Sequence, residues 1–145
     1  MESDNAHKTL LRISKEKDFD LLETYLQASE PVEINLSALP LVEYLSSVVV
    51  SQQLSTKAAK TIWLRVHPII TAHTNYQNLE TELHSAGLSK SKANYVIGLI
   101  KNLKLSSLQR SDLKELSNIE FENLLSANKG IGPWSVQMAR MFFLG

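Results

Sequence analysis

Hydrophobic residues recur at helical spacing along almost the whole chain. Leu41, Leu45 and Val48, for instance, follow one another at intervals of three or four residues, as on the buried face of an α-helix. The same periodicity predicts helices over residues 8–29, 41–53, 56–66, 77–86, 90–103, 119–127 and 134–144, and a short helix that opens with Asp112 and Glu115. Residues 30–39 and 104–111 are predicted as loops. Because the sequence contains no convincing strand pair, the pattern predicts an all-α bundle of short helices.

Residues that start or stop helices stand near several of these predicted ends. Ser55 and Ser89 precede two of the helices as N-cap residues, whose side-chain oxygens accept a hydrogen bond from the first turn. Ser111 is the predicted cap of the short helix. Pro68 is expected to end the helix before it or to begin a new turn.

The length of 145 residues fits one domain, or one domain and part of another. Residues 1–38 are predicted to form an N-terminal helix and loop, and residues 39–145 the main domain. The chain has no cysteine, which excludes disulfides and thiolate metal sites. No apolar core of signal-peptide length is found at the N-terminus, and the longest apolar run, around residues 45–50, is too short to span a bilayer. These features predict a cytoplasmic protein.

Acidic and basic residues are unevenly distributed, although the formal net charge is zero. Residues 1–43 hold nine acidic and four basic residues, whereas residues 44–145 hold six acidic and eleven basic ones. A basic surface over most of the chain suits a polyanionic partner. A solvated face that balances the acidic N-terminal segment explains the same counts equally well.

Two glycines and a proline are concentrated in the segment KGIGPWS, which begins at Lys129. Glycine readily adopts φ > 0, so Gly130 and Gly132 are predicted to form a tight turn with exposed amide groups. Pro133 lacks an N–H and fits the first turn of the following helix. A turn that leads into a helix N-terminus offers free N–H donors and a partial positive charge to a phosphate. Lys129 adds a full charge, and Ile131 is predicted to point inward and hold the turn against the core.

A simpler interpretation of this segment exists. A helix C-cap followed by an ordinary helix start accounts for an isolated Gly-x-Gly sequence. The Pro-Trp-Ser continuation and the basic surroundings favour the phosphate-binding turn instead.

Three segments together resemble one family. The sequence NKGIGPWSVQMARMFFLG is similar to the helix-hairpin-helix motif of the DNA glycosylase superfamily, and most similar to its DNA-3-methyladenine glycosylase II branch. LVEYLSSVVVSQQLSTKAAKTIWLRV (41–66) resembles the family segment with a Gln-Gln-Leu-Ser run before an Ala-Ala helix, and LHSAGLSKSKANYVIGLIKNL (83–103) resembles the segment whose Gly-Leu-Ser turn precedes a basic helix. The resemblance runs from about residue 39 onward. It implies a base-excision repair enzyme that binds damaged duplex DNA, flips out an alkylated base such as 3-methyladenine and hydrolyses its N-glycosidic bond.

The resemblance implies roles for two DNA-facing turns. In the family the hairpin grips the DNA backbone, which assigns backbone binding to Lys129, Gly130, Ile131, Gly132 and Ser135. The Gln-Gln-Leu-Ser turn fills the gap left by the flipped nucleotide, and Gln53 is the expected plug, with Gln52 or Leu54 next. Because flipping costs roughly a few kcal/mol of stacking and pairing, a side chain that restores contact is useful there. Alternatively, Gln52 and Gln53 only cap a buried helix.

Trp134 stands where the family places an aromatic residue in the damaged-base pocket. An alkylated purine such as 3-methyladenine carries a positive charge, and an indole face attracts a cation by about 0.5–2 kcal/mol. A position in the hydrophobic core explains Trp134 nearly as well. Trp63 is predicted to belong to the core, because it lies on a helix stripe with Ile62 and Val66.

Other polar residues add less to the picture. Four lysines are candidates for phosphate contacts, although each is individually explained as a solvated charge: Lys90, Lys92, Lys101 and Lys104. The four histidines show no metal-ligand spacing and no matching acidic partner, so none is assigned a role: His7, His67, His73 and His84. No cofactor is implied beyond a monovalent cation, which backbone carbonyls hold in some family hairpins.

The family's catalytic aspartate lies just after the second hairpin helix, beyond the position of Gly145. That aspartate stabilises the cationic sugar and assists the attacking water. No Asp or Glu follows Glu122, and Asp112 does not match the family position. The chain is therefore expected to be a glycosylase truncated before its catalytic aspartate and nearly inactive alone. The alternative is a non-catalytic helix-hairpin-helix module that binds DNA or a protein partner.

An incomplete last helix has a further consequence. Met141, Phe142 and Phe143 are expected to be exposed, and such an apolar surface favours self-association.

Overall fold

Ten α-helices and one π-helical segment make up the computed structural model, which describes residues 2–32, 34–72 and 76–145. The α-helices are α1 Glu2–Glu16, α2 Asp20–Ala28, α3 Leu41–Ser51, α4 Thr56–Ala72, α5 Leu79–Ser85, α6 Lys90–Lys101, α7 Leu103–Ser107, α8 Arg110–Lys114, α9 Asn118–Ser126 and α10 Pro133–Ala139, and the π-helical segment is Arg140–Leu144. The described residues contain no strand, which confirms the predicted all-α fold. In these ranges, every helix is too short or too polar to cross a membrane.

The chain divides into two compact units, Met1–Asn35 and Leu36–Gly145. In the first unit α1 packs against α2. The single helix predicted over residues 8–29 is broken in two, because the chain turns at Asp18, whose φ of 53° is left-handed and does not continue a right-handed helix. Lys15 Nζ lies 3.8 Å from Glu23 Oε1 across this turn.

Helix α3 is the centre of the second unit. It packs against α4, α6, α7 and α10, and Leu45, Val49 and Val50 have no exposed surface. Three consecutive valines are typical of strands, but burial on nearly every side stabilises them in this helix. Helix α3 ends at Ser51, so the turn that follows starts from a helix that is buried in the core.

Two connecting segments differ from the predictions. Pro68 lies inside α4 instead of ending it. The proline removes one backbone hydrogen bond, but the helix continues and buries Ile70 in the core. Residues 104–111 were predicted as a loop, yet α7 forms there, because Leu105 is buried and the Asn102 side chain accepts a hydrogen bond from its amide at 3.2 Å.

The short helix α8 starts earlier than predicted. Gln109 is its N-cap in place of Ser111, and the Asp112 carboxylate accepts a hydrogen bond from the Gln109 amide at 2.7 Å. The polar side chain three residues into the helix therefore closes a reciprocal capping arrangement.

Helix α9 leads into the glycine-containing segment, and its start is well capped. The Ser117 hydroxyl accepts a hydrogen bond from the Glu120 amide at 3.3 Å, and the Glu120 carboxylate accepts one from the Ser117 amide at 2.8 Å. The hydrogen bonds from Ser117 lower the pKa of Glu120 below the usual glutamate value. This capping box fixes the first turn of α9, the helix that leads into the glycine-containing segment.

We expect Ser117→Ala to lower the free energy of unfolding by about 0.5–2 kcal/mol, because it leaves an amide of the first turn without its acceptor. Urea unfolding followed by circular dichroism measures the change. Ser126→Ala, at the other end of the same helix, is the matched control and should change the free energy by less than about 0.5 kcal/mol. Equal losses in the two variants would contradict a specific contribution from the cap.

Candidate nucleic-acid interface

Two turns of the second unit meet at one cleft. The glutamine turn, residues 52–55, joins α3 to α4, and the glycine turn, residues 127–132, joins α9 to α10. They border a cleft of about 640 Å³ whose lining residues are Ser51, Gln52, Gln53, Leu54, Thr56, Ala59, Gly132, Pro133, Trp134 and Ser135. Two motifs that are about 80 residues apart in the sequence therefore form one surface feature.

Gln52 joins the two turns directly. Its Nε2 donates a hydrogen bond to the Gly130 carbonyl at 2.8 Å and approaches the Ser135 hydroxyl oxygen at 3.3 Å. The side chain is therefore directed into the protein. This contact gives Gln52 a structural role and leaves the next two residues as the stronger plug candidates.

Gln53 and Leu54 form the exposed tip of the glutamine turn. Leu54 has 40% of its surface exposed although it is a large apolar residue. Gln53 has a φ of 57°, in the left-handed region that costs a non-glycine residue roughly 1–2 kcal/mol. Exposed residues held in such a conformation are concentrated at binding and active sites. The geometry of the turn is consistent with a side chain presented to a partner.

The glycine turn has one position that requires glycine. Gly130 has a φ of 88°, as predicted, whereas Gly132 has a φ of −100° and an extended backbone that any residue can adopt. Ile131 is only 4% exposed and anchors the turn in the core. Its amide donates to the Asn128 carbonyl, while the amides of Gly130 and Gly132 have no acceptor among the described residues. Two backbone donors are thus available beside the cleft.

Asn128 stabilises the glycine turn, and sequence reasoning missed it. Its Nδ2 donates to the carbonyls of Leu124 and Leu125 at 3.0 and 3.1 Å, which closes the end of α9. Its Oδ1 accepts a hydrogen bond from the Asn102 side chain at 2.9 Å. An asparagine just after a helix is a known capping signal, but its partner, 26 residues away, gives no signal in the sequence.

Trp134 and Ser135 follow the glycine turn and differ in exposure. Trp134 is 55% exposed and lines the cleft, so the alternative of a core tryptophan is wrong. Ser135 is 1% exposed, and its hydroxyl faces Gln52. Burial therefore argues against the direct DNA contact predicted for Ser135 and gives it a supporting role. Lys129 is exposed and makes no ion pair with a described residue.

Lys92 is neither a solvated surface charge nor a free candidate for phosphate contact, the two roles considered from the sequence. Its ammonium donates to the Val50 carbonyl at 2.8 Å and to the Gln52 carbonyl at 2.6 Å. Burial lowers the pKa of Lys92 below the usual lysine value. The side chain is therefore engaged with the end of α3 and the start of the glutamine turn.

The cleft carries no carboxylate of its own. None of its lining residues, all in the described part of the chain, is Asp or Glu. Across residues 2–32, 34–72 and 76–145, no group of three or more His, Cys, Asp or Glu side chains is arranged to hold a metal ion. Backbone amides, an indole and uncharged polar side chains thus define the chemistry of the cleft.

A second cavity, of about 550 Å³, lies elsewhere on the same unit and is mostly apolar. Its lining residues include Glu43, Arg110 and Phe143. Glu43 Oε2 lies 2.7 Å from His67 Nε2, a pairing that sequence spacing did not indicate. His73 lies outside the described residues.

The predicted exposure at the end of the chain is correct for two of three residues. Met141 and Phe142 are exposed, but Phe143 is buried. Its ring lies 5.2 Å from the Tyr44 ring and 4.6 Å from the Arg110 guanidinium. Trp63 packs against the core as predicted.

Comparison with known proteins identifies similar sequences and folds. No protein-family model matches the chain. Over 84 residues the chain is 31% identical to YfjP of Bacillus subtilis strain 168, which carries a provisional assignment as a DNA-3-methyladenine glycosylase, and the match covers 58% of this chain and 28% of YfjP.

Two solved structures share the fold. The DNA-3-methyladenine glycosidase of Bacillus halodurans superposes with a TM-score of 0.73 at 26% identity, over 96% of this chain and 64% of that one. The 3-methyladenine DNA glycosylase of Schizosaccharomyces pombe, in complex with abasic DNA, superposes with a TM-score of 0.60 at 24% identity, over 80% of this chain and 59% of that one. The chain spans less than two thirds of the length of each relative. In sequence and in fold, it is thus similar to DNA-3-methyladenine glycosylases.

Proposed function

We propose that this chain is the DNA-reading part of a base-excision repair glycosylase that acts on alkylated bases such as 3-methyladenine. The observation that carries the proposal is the shared cleft, where the glutamine turn and the glycine turn are joined by Gln52. A backbone-binding element and a gap-filling element must lie side by side to act on one nucleotide, and the adjacency of the two turns supports these roles.

The glycine turn supplies the grip on the DNA backbone. The amides of Gly130 and Gly132 have no acceptor among the described residues, so they are available to an external one. A phosphate oxygen is such an acceptor. The exposed ammonium of Lys129 adds a salt-dependent attraction. Ile131 contributes by anchoring the turn, since its side chain is buried.

The glutamine turn supplies the plug. Gln53 and Leu54 are exposed at the tip, and either side chain can occupy the gap in the duplex after a base has flipped out. The contacts that this side chain makes with the neighbouring bases offset part of the cost of flipping, which is roughly a few kcal/mol. Trp134 offers its indole face to the flipped base, and a cationic alkylated purine gains about 0.5–2 kcal/mol there over a neutral one.

Hydrolysis of the N-glycosidic bond requires more than the cleft offers. Water adds to the sugar carbon as the bond to the base breaks, and a carboxylate normally stabilises the cationic sugar and accepts the proton of the water. No carboxylate lines this cleft among the described residues. We therefore propose that the 145-residue chain alone binds and flips the base but releases it very slowly. The same observation favours a non-catalytic DNA-binding module as the second candidate.

Two measurements on the full chain test the proposal. Fluorescence titration compares its affinity for a duplex with one abasic site and for the matched undamaged duplex, at two salt concentrations. We expect salt-sensitive binding that is tighter for the abasic duplex, as well as little release of bases from methylated DNA. Equal affinity for both duplexes would favour the non-catalytic module, absent or salt-insensitive binding would overturn the proposal, and robust base release would refute the expected inactivity.

A further inference from the structure

One face of α6 touches both turns of the cleft. Lys92 and Tyr95 are three residues apart and so lie on the same side of this helix. Lys92 donates to the first carbonyl of the glutamine turn, that of Gln52. Tyr95 packs behind the glycine turn, where a Cβ atom added to Gly130 would lie 2.5 Å from its ring carbon Cδ2.

The contacts of Lys92 meet a specific need at the end of α3. The last carbonyls of a helix have no partner within it, and Lys92 binds one of them, that of Val50, at 2.8 Å. Hydrogen bonds from an ammonium group are about twice as strong as neutral ones. The residue that follows the second contact is Gln53, which is held in the left-handed region. Lys92 therefore holds the backbone next to Gln53, a residue whose strained conformation would otherwise favour a rearrangement of the turn.

These contacts form a continuous connection through the interface. Lys92 holds the backbone of Gln52, and the Gln52 side chain holds the Gly130 carbonyl. Gly130 in turn lies against Tyr95, on the same helix as Lys92. The path begins and ends on α6, so this helix can set the separation between the two turns.

We propose that Lys92 is a positioning residue that fixes the glutamine turn at a set distance from the glycine turn, so that plug and phosphate grip act on the same nucleotide. The inference rests on the proposed function. Lys92 is therefore expected to affect the ratio of the affinities for abasic and undamaged DNA, and not the affinity for DNA in general. A lysine that contacted phosphate would show the opposite pattern.

The test compares three variants of the full chain. Lys92→Met keeps the length of the side chain and removes its donors, and Lys92→Arg keeps donors and charge. Lys90→Met is the matched control, because Lys90 is exposed in the first turn of the same helix. No hydrogen bond of its side chain is found among the described residues. Each variant is titrated with the abasic and the undamaged duplex, and its thermal midpoint is measured.

For Lys92→Met we expect the ratio of the two affinities to fall by roughly tenfold, the equivalent of one of its two charge-assisted hydrogen bonds. Affinity for undamaged DNA should change no more than in Lys90→Met, and Lys92→Arg should recover most of the ratio. An unchanged ratio in a folded Lys92→Met variant, or equal losses for both duplexes, would overturn the inference.

Hydrogen exchange of the free protein separates this inference from the proposed function. Lys92→Met should speed exchange of the Leu54 amide, which donates to the Ser51 carbonyl at 3.2 Å, while Lys90→Met should leave it unchanged. If the wild-type chain does not discriminate between the duplexes, the proposed function fails, and unchanged exchange in Lys92→Met would reject the positioning role independently of DNA.

Discussion

Gly130→Ala is expected to lower the free energy of unfolding by about 2–5 kcal/mol. At a φ of 88°, an L-residue pays roughly 1–2 kcal/mol that glycine does not. The new methyl group would also lie 2.5–2.9 Å from three atoms of Tyr95, including Cβ, which cannot swing away as the end of a long side chain can. Overpacking of this kind typically costs about 1–3 kcal/mol. Chemical unfolding monitored by circular dichroism measures the sum.

Gly132→Ala is the matched control for this change. Its backbone is extended, and no atom lies within 4 Å of the position that its Cβ would take. We expect a change of less than about 0.5 kcal/mol in its free energy of unfolding. The double variant Gly130→Ala, Tyr95→Ala should remove the collision with the ring carbons, but neither the close contact with Tyr95 Cβ nor the backbone strain. Equal costs at the two glycines would mean that the turn does not have the conformation described.

Trp134→Ala is expected to weaken binding of DNA with a cationic N-alkylated purine by about 5- to 150-fold, the equivalent of roughly 1–3 kcal/mol of base stacking. The side chain is 55% exposed and lines the cleft, so its loss leaves little empty space in the core. The free energy of unfolding should therefore change by less than about 1 kcal/mol. Titration with the alkylated duplex and with its unmodified counterpart measures the effect.

Two further variants control for this result. Trp134→Phe keeps an aromatic face and should retain most of the affinity for alkylated DNA. Leu103→Ala removes an apolar side chain that is 80% exposed and does not line the cleft, so DNA affinity should not change. A Trp134→Ala variant that binds both duplexes as well as the wild type would exclude the indole from base recognition.

Local sequence signals predicted most of the helices and the conformation of Gly130. Helical periodicity is read within one segment, and a Gly-x-Gly-Pro sequence limits the backbone locally. Serine caps were predicted correctly where one residue decides them, as at Ser89, whose hydroxyl accepts from the Lys92 amide. At α8 the cap depends on a pair of side chains, and the prediction of Ser111 was wrong.

The contacts that assemble the interface could not be predicted from the sequence. Lys92 was expected to be a surface charge, but its acceptors lie 42 and 40 residues earlier in the chain. The Gln52 side chain bonds to a carbonyl 78 residues away. Such contacts depend on how α3, α6 and α10 pack, and no local pattern reports that packing. Burial of Phe143 against Tyr44 was missed for the same reason.

Nuclear magnetic resonance titration of the ¹⁵N-labelled chain with an abasic duplex tests most directly whether the cleft binds DNA. We expect the largest shifts at the amides of Gln53, Leu54, Gly130 and Gly132 and at the indole N–H of Trp134. These groups should respond together, because one ligand spans both turns. Shifts concentrated around the second cavity, near Glu43 and Arg110, with the two turns unaffected, would contradict DNA binding at the cleft.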